Sequence, residues 1–272
     1  MKNTRKKELS RRSFIKTGTT AATVFSIVPG HVVVANGKTP PSEKLNIAGI
    51  GIGGMGRGNI GACKGENVVA LCDVDSAYAG KTFKAHPNAA TYVDYRVMLE
   101  KQKDIDAVVI ATPDHTHAVI TMAAIEMGKH VYCQKPLTHT VEEARKITAA
   151  ARASKVQTQM GNQGHSSDAI RVVREWVQSG SIGDVKEVHA WTDRPDDGPW
   201  YANFGARDLP SDFPAVPDSL NWDLWLGPTQ DRKFSPAYHP FKWRAWLDFG
   251  TGALGDMGCH ILDPACWALD LM

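Results

Sequence analysis

Apolar and polar positions fall into a regular pattern only from Leu45 onward. Leu45–Ile50 is a short apolar run, and Asn67–Asp73, Ile105–Ile110, His130–Cys133 and Lys155–Met160 repeat its character. Runs of this length, bounded by turn residues, predict buried strands. Between them, Val93–Gln102, the stretch carrying Ala118, Met122 and Ile125, and the stretch from Thr140 to Ala153 show helical spacing. Thr140 followed three residues later by Glu143 has the form of a capping box. Strands alternating with helices predict an α/β fold built on a doubly wound parallel sheet with helices on both faces.

The pattern changes after Gly161. Asp168–Gln178 is helical and closed by Gly180, and Val185–Thr192 alternates at period two, predicting a strand with one covered face. Residues 194–241 are irregular and rich in Pro, Asp and Trp, a length more typical of a binding loop than of a compact connection. Trp200, Trp222, Trp225, Trp243 and Trp246 offer either faces for a sugar ring or ordinary core packing. A helix starting near Ala253 would put Asp256 and His260 on one face and Asp263 a turn further, with Pro264 kinking or ending it.

The segment before Leu45 reads as an address. A basic stretch, then Ser10-Arg11-Arg12-Ser13-Phe14-Ile15-Lys16, then a weakly apolar run broken by Pro29 and Gly30 resembles a twin-arginine export signal and is too short and broken for a membrane span. The expected division is a signal peptide over 1–35, a linker over 36–44, a nucleotide domain over 45–161 and a second domain over 162–272. A periplasmic or otherwise exported protein follows, without stable membrane insertion once the signal is removed. The net charge of +2 sits partly in this leader and leaves no nucleic-acid footprint. An apolar content of 43% suits a folded chain of this length, and the five cysteines show no metal-finger spacing, so they read as small buried hydrophobes.

The candidate chemistry starts at Gly51-Ile52-Gly53-Gly54-Met55-Gly56, directly after the first strand. Gly51, Gly53 and Gly56 have G-x-G-x-x-G spacing, which allows a tight turn, close approach of a diphosphate and close packing of the next helix. Asp73 ends the second strand, where a carboxylate can accept from both ribose hydroxyls and repel a 2′-phosphate, so NAD is expected rather than NADP. Asp75 is near enough to share that role, and a turn-capping role for Asp73 stays open. Thr112-Pro113-Asp114-His115-Thr116-His117 is expected as a polar bend at the carboxyl end of a strand. With no third ligand evident, His115 and His117 read as pocket or capping groups, and no metal is expected.

With these motifs in place, the chain from Leu45 to its end resembles the glucose-fructose oxidoreductase, inositol dehydrogenase and rhizopine-catabolism family. The resemblance rests on the glycine turn, Thr112-Pro113 with His117, Lys135-Pro136 and the Gly-Asp-x-x-x-His segment at 255–260. It implies an N-terminal Rossmann domain and a C-terminal α/β domain with a large open sheet that supports homo-oligomer contacts. Room for about three strands after residue 180 suggests that this second domain is only partly present.

The resemblance further implies that Lys135, Asp256 and His260 are the catalytic and substrate-binding set, with His165 and Trp243 as further substrate candidates. Gly51, Gly53, Gly54, Met55, Gly56, Asp73, Thr112, Pro113, His117 and Lys135 are the implied cofactor contacts. Gln134 stands where that family usually has glutamate. The implied function is NAD-dependent oxidation of a secondary hydroxyl of a sugar, cyclitol or glycoside, with the cofactor held tightly. An NAD-dependent glycoside hydrolase working by transient C3 oxidation, and a sugar-binding protein with structural NAD, are the alternatives.

Overall fold

A computed structural model describes residues 43–194 and 209–271 of the chain. The twin-arginine segment, the expected cleavage near Asn36, most of the linker and Trp200 lie outside these residues.

Six parallel strands, β1 (Asn46–Ile50), β2 (Asn67–Cys72), β3 (Ala90–Tyr92), β4 (Ala107–Ile110), β5 (His130–Gln134) and β6 (Thr158–Gly161), lie in the order β3-β2-β1-β4-β5-β6. Each parallel step needs a crossover. Helices α1 (Met55–Ala62), α2 (Gly80–Ala85), α3 (Tyr95–Lys101), α4 (Asp114–Glu126) and α5 (Val141–Ala153) supply them in turn. The chain builds outward from β1 to β3, then returns to β1's other side with β4. This reversal parts the loops that follow β1 and β4 and opens a crevice at the carboxyl ends of the strands. Strand alternation feeds two apolar layers: Val108 and Ile110 join Ile120 and Ile147 on one face, while Val109 joins Ile47, Ile60 and Leu71 on the other.

Local signals fix the ends of these elements. Thr140 caps α5 as expected, its hydroxyl accepting from the Glu143 N–H while the Glu143 carboxylate accepts from the Thr140 N–H. The expected polar bend at 112–117 is shorter than the sequence suggests, because α4 already begins at Asp114. Pro113 precedes the helix in an extended conformation, and Asp114, His115, Thr116 and His117 form its first turn. β3 and α2, with three and six residues, are too short to show a period.

After β6 come α6 (Asp168–Gln178), α7 (Trp222–Leu226), α8 (Gly252–Ile261) and α9 (Asp263–Ala268), with 3-10 turns at Gln163–Ser166 and Lys242–Ala245. The strand expected over 185–192 does not form a ladder, and among the described residues there is no second sheet for it to join. Period-two alternation marks a segment able to pair, but a strand exists only when a neighbour accepts its hydrogen bonds. Val188 and Trp191 are correspondingly exposed. The described part of the irregular stretch supplies a core cluster: Leu220, Trp222, Trp225, Phe234 and Tyr238 pack with Phe249, and Trp222 stacks on Trp225 at 4.6 Å. No helix among the described residues is long and apolar enough to cross a membrane.

The glycine turn shows why small residues are needed. Gly51 has φ +75°, and a Cβ there would lie 2.7 Å from the Thr112 nitrogen. A Cβ at Gly56 would overlap the Gly51 carbonyl oxygen and lie 3.0 Å from its carbon, whereas one at Gly58, in the same helix, would meet nothing within 4 Å. Gly56→Ala is therefore expected to destabilise the protein by about 1–3 kcal/mol, and Gly58→Ala to stabilise it by about 0.4–1 kcal/mol. Urea unfolding of the two variants would check this, and equal effects would contradict the packing assigned to Gly56.

Candidate active site

The crevice is a cavity of about 790 Å³. One end is walled by the glycine turn and Asp73, the other by Lys135, Asp256 and His260, with Thr112 and Pro113 also lining it.

Lys135 follows β5 directly, so the strand end delivers its side chain to the crevice. Its ammonium donates to Asp256 Oδ1 and to the Asp256 carbonyl, both at 2.7 Å. An ammonium has three N–H groups, so one remains for a further acceptor. Asp256 is buried and also faces Arg194 at 3.4 Å and Arg244 at 3.6 Å. Burial works against its charge, but Lys135 foremost, then Arg244 and Arg194, hold its carboxyl below the ordinary range. The neighbouring Gln134 amide donates to Asn59 Oδ1 at 3.0 Å, tying β5 to α1.

His260 lies four residues beyond Asp256 in α8, and both line the cavity. Burial and then the Lys135 charge push its pKa down, which leaves a neutral imidazole able to accept a proton at neutral pH. Trp243 is buried in the same wall, with the Arg244 guanidinium 4.2 Å from its ring centroid.

At the other end, Gly51, Gly53, Gly54 and Met55 line the cavity, whereas Gly56 serves the packing just described. Asp73 Oδ2 accepts from the Ile52 and Gly53 nitrogens at 2.8 and 3.1 Å, and Oδ1 from the Asp75 nitrogen at 3.0 Å. A carboxylate offers about four acceptor positions, so about one remains, fewer than the two ribose hydroxyls assigned to it from sequence. Burial pushes Asp73 up to about 6 against these amides. Asp75 does not line the cavity; it accepts from Ser219 Oγ and His239 Nε2 at 2.9 Å each and fastens the second half to β2. The Thr112 hydroxyl, at the cavity wall, is buried with no partner among the described residues.

Three histidines read as site candidates do not line the cavity. His115 sits between the Trp225 and Phe249 carbonyls at 2.9 and 3.2 Å, and burial pushes it down to about 4. His165 pairs with Asp263 at 2.9 Å and packs against Trp267, so neither it nor Asp263 reaches the crevice. His117 is behind the wall, with Nδ1 2.7 Å from the Pro136 carbonyl and Nε2 2.8 Å from that of Thr112. It therefore shapes the two loops that carry Thr112 and Lys135 and does not touch the space between them. Sequence reasoning singled out neither Asp114 nor Tyr78, both of which line the cavity. Asp114 is legible only as the acidic first residue of α4, accepting from Thr251 Oγ1 at 3.0 Å.

A six-stranded sheet in this order, a glycine turn over the crevice and a lysine–aspartate–histidine set opposite it coincide with the family comparison. Residues 45–162 match the model described as oxidoreductase family, NAD-binding Rossmann fold, and residues 168–271 match that family's C-terminal α/β domain. The protein belongs to this oxidoreductase family. Levoglucosan dehydrogenase of Pseudarthrobacter phenanthrenivorans is 28% identical over 63% of this chain and 35% of its own length. Inositol 2-dehydrogenase of Serratia proteamaculans is 31% identical over 58% of this chain and 48% of its own. The chain thus spans less than half the length of these curated relatives. Among solved structures, myo-inositol 2-dehydrogenase from Lactobacillus plantarum superposes with a TM-score of 0.49 at 27% identity, covering 53% of this chain and 43% of that one.

The two carbonyls around His117 give a pH prediction. Carbonyl oxygens only accept, so both ring nitrogens can donate only when the ring is an imidazolium. Burial opposes that charge, but Cys133, Asp114 and the Pro136 carbonyl outweigh it and hold the ring up at about 9. A pKa raised in the folded state stabilises fully below the unfolded value near 6.5 and is lost as pH rises through about 9. Between pH 6 and 9.5 the wild type should lose on the order of 1–3 kcal/mol more than His117→Gln in urea unfolding. Parallel pH profiles for the two proteins would exclude a buried imidazolium.

Proposed function

We propose that the protein is an NAD-dependent oxidoreductase acting on a secondary hydroxyl of a sugar, cyclitol or glycoside. The observation that carries this reading is Lys135, held at 2.7 Å by Asp256 with one N–H to spare, in the same cavity as a neutral His260. The names of the relatives, an inositol and a levoglucosan dehydrogenase, support a polyhydroxylated ring as substrate.

The other end of the cavity fits a dinucleotide. A positive-φ glycine, a side-chain-free turn lining the cavity and a buried Thr112 hydroxyl lacking a partner among the described residues are features that a diphosphate and its nucleoside would use. Gly51, Gly53, Gly54 and Met55 would hold the diphosphate, Asp73 a ribose hydroxyl, and Thr112 and Pro113 would flank the nicotinamide end. Bound there, NAD supplies a hydride acceptor. The chain's own part is acid–base and electrostatic: Lys135 donates its third N–H to the substrate hydroxyl and stabilises the alkoxide character that develops on it. His260 Nδ1 or Nε2 takes the hydroxyl proton. Asp256 fixes the ammonium in place and keeps it charged. The twin-arginine leader supports export of a folded, cofactor-loaded protein, and tight cofactor retention suits a compartment where free NAD is scarce.

Lys135→Ala and His260→Ala should each lower turnover on a panel of cyclitols and sugars by about 10²–10⁴-fold, while NAD affinity measured by calorimetry changes little for His260→Ala. Because His260 is held below its ordinary value, wild-type kcat/KM should stay level through neutral pH and fall only on the acid side. Near-normal turnover in both variants would remove the assignment. Release of aglycone from a glycoside without accumulating NADH would replace net oxidation with a redox-neutral cycle.

A further inference from the structure

The second glycine of a dinucleotide turn lets a diphosphate come against the backbone. The direction a Cβ would take at Gly53 is therefore the direction from which the diphosphate approaches. In this protein that space holds the ring of Tyr78. A Cβ at Gly53 would overlap Tyr78 Cδ1 and lie 2.5 Å from Cε1, and one at Gly54 would lie 2.8 Å from Oη. At Gly51 and Gly56 the crowding comes mainly from backbone; at Gly53 and Gly54 it comes from this one side chain.

The backbone of Tyr78 is held by a hydrogen bond, whereas its ring hydroxyl is held by none among the described residues. Its backbone N–H donates to Asp75 Oδ1 at 3.1 Å, and Asp75 is held in turn by His239 and Ser219. The ring lines the cavity, the residue is 40% exposed, and the hydroxyl makes no hydrogen bond among the described residues. The nearest aromatic neighbour is His239, edge-on at 6.0 Å between centroids. The side-chain torsions are the freedom by which the ring would leave Gly53 and Gly54, and rotamers of exposed residues exchange within about ps–ns.

We propose that Tyr78 is a further residue of the nucleotide site, whose ring competes with the diphosphate for the floor of the glycine turn and so sets the apparent affinity for the cofactor. The inference rests on the dinucleotide reading above. Because rotation is fast, the ring acts as a population tax: apparent affinity is the intrinsic affinity reduced by the fraction of molecules with the ring turned away. The tax applies to ligands that bring a diphosphate to Gly53 and spares those that do not.

The test compares the full chain with Tyr78→Ala and Tyr78→Phe, using NAD, ADP and adenosine as probes in calorimetry and stopped-flow tryptophan fluorescence. Removing the ring should raise the association rate constant and the affinity for NAD and ADP by about tenfold, with adenosine unchanged. Tyr78→Phe, which keeps the ring, should match the wild type for all three. NAD and ADP affinities in Tyr78→Ala within twofold of wild type, or weaker, would overturn the proposal, as would an equal gain for adenosine. If the wild type bound neither NAD nor ADP, the dinucleotide reading itself would fail and this proposal with it, whereas failure of the Tyr78 role alone leaves wild-type NAD binding intact.

Discussion

The ion pair between Lys135 and Asp256 fastens the end of β5 to α8, and the geometry of the site depends on it. Both side chains are largely withdrawn from water, and each offsets the cost of burying the other's charge, Asp256 being faced by Arg194 and Arg244 as well; removing one partner of a buried pair typically costs about 3–5 kcal/mol. The same contact has a chemical result. Asp256 answers the ammonium twice, through a carboxylate oxygen and its own carbonyl, which fixes the direction of the remaining N–H. The charge of Lys135 also helps keep His260 neutral. One contact thus positions an electrostatic donor, holds a base in its proton-accepting form and joins the two halves of the protein.

Around this pair, polar side chains act as braces for backbone carbonyls and amides. His117 bridges the carbonyls of Thr112 and Pro136, and His115 links the first turn of α4 to the Trp225 and Phe249 carbonyls. Asp75 reaches Ser219 and His239, bringing the second half against the end of β2. Asp73 spends three acceptor positions on amides of the turn and of its own strand end. Buried donors and acceptors left without partners are costly, so a crevice lined by strand ends and loops needs such braces to keep its shape. The aromatic cluster of Trp222, Trp225, Tyr238 and Phe249 does the same in apolar terms, packing an irregular segment beside the crevice.

The elements legible in advance were those whose signal is local. Val108, Val109 and Ile110 alternate between two cores because a strand has period two, and Thr140 with Glu143 caps α5 because both groups lie within one turn. The glycine spacing at 51, 53 and 56 was equally legible, since the φ of Gly51 and the contact of Gly56 with Gly51 are properties of a few consecutive residues. Val185–Thr192 shows the limit of such signals: its alternation is real, yet no partner strand stands beside it among the described residues.

What the sequence determined by itself was the parallel α/β architecture, the glycine turn and the one-turn spacing of Asp256 and His260, because periodicity and short-range sterics are written in neighbouring residues. Which polar side chain faces the crevice was decided only by tertiary structure. His117 and His165 look like site residues in the chain and turn out to be spent on carbonyls and on Asp263, while Tyr78 carries no mark in the sequence and lies against the glycine turn. A side chain's role follows from which distant backbone atoms crowd it or need its hydrogen bonds, and that depends on how the strands and loops come together.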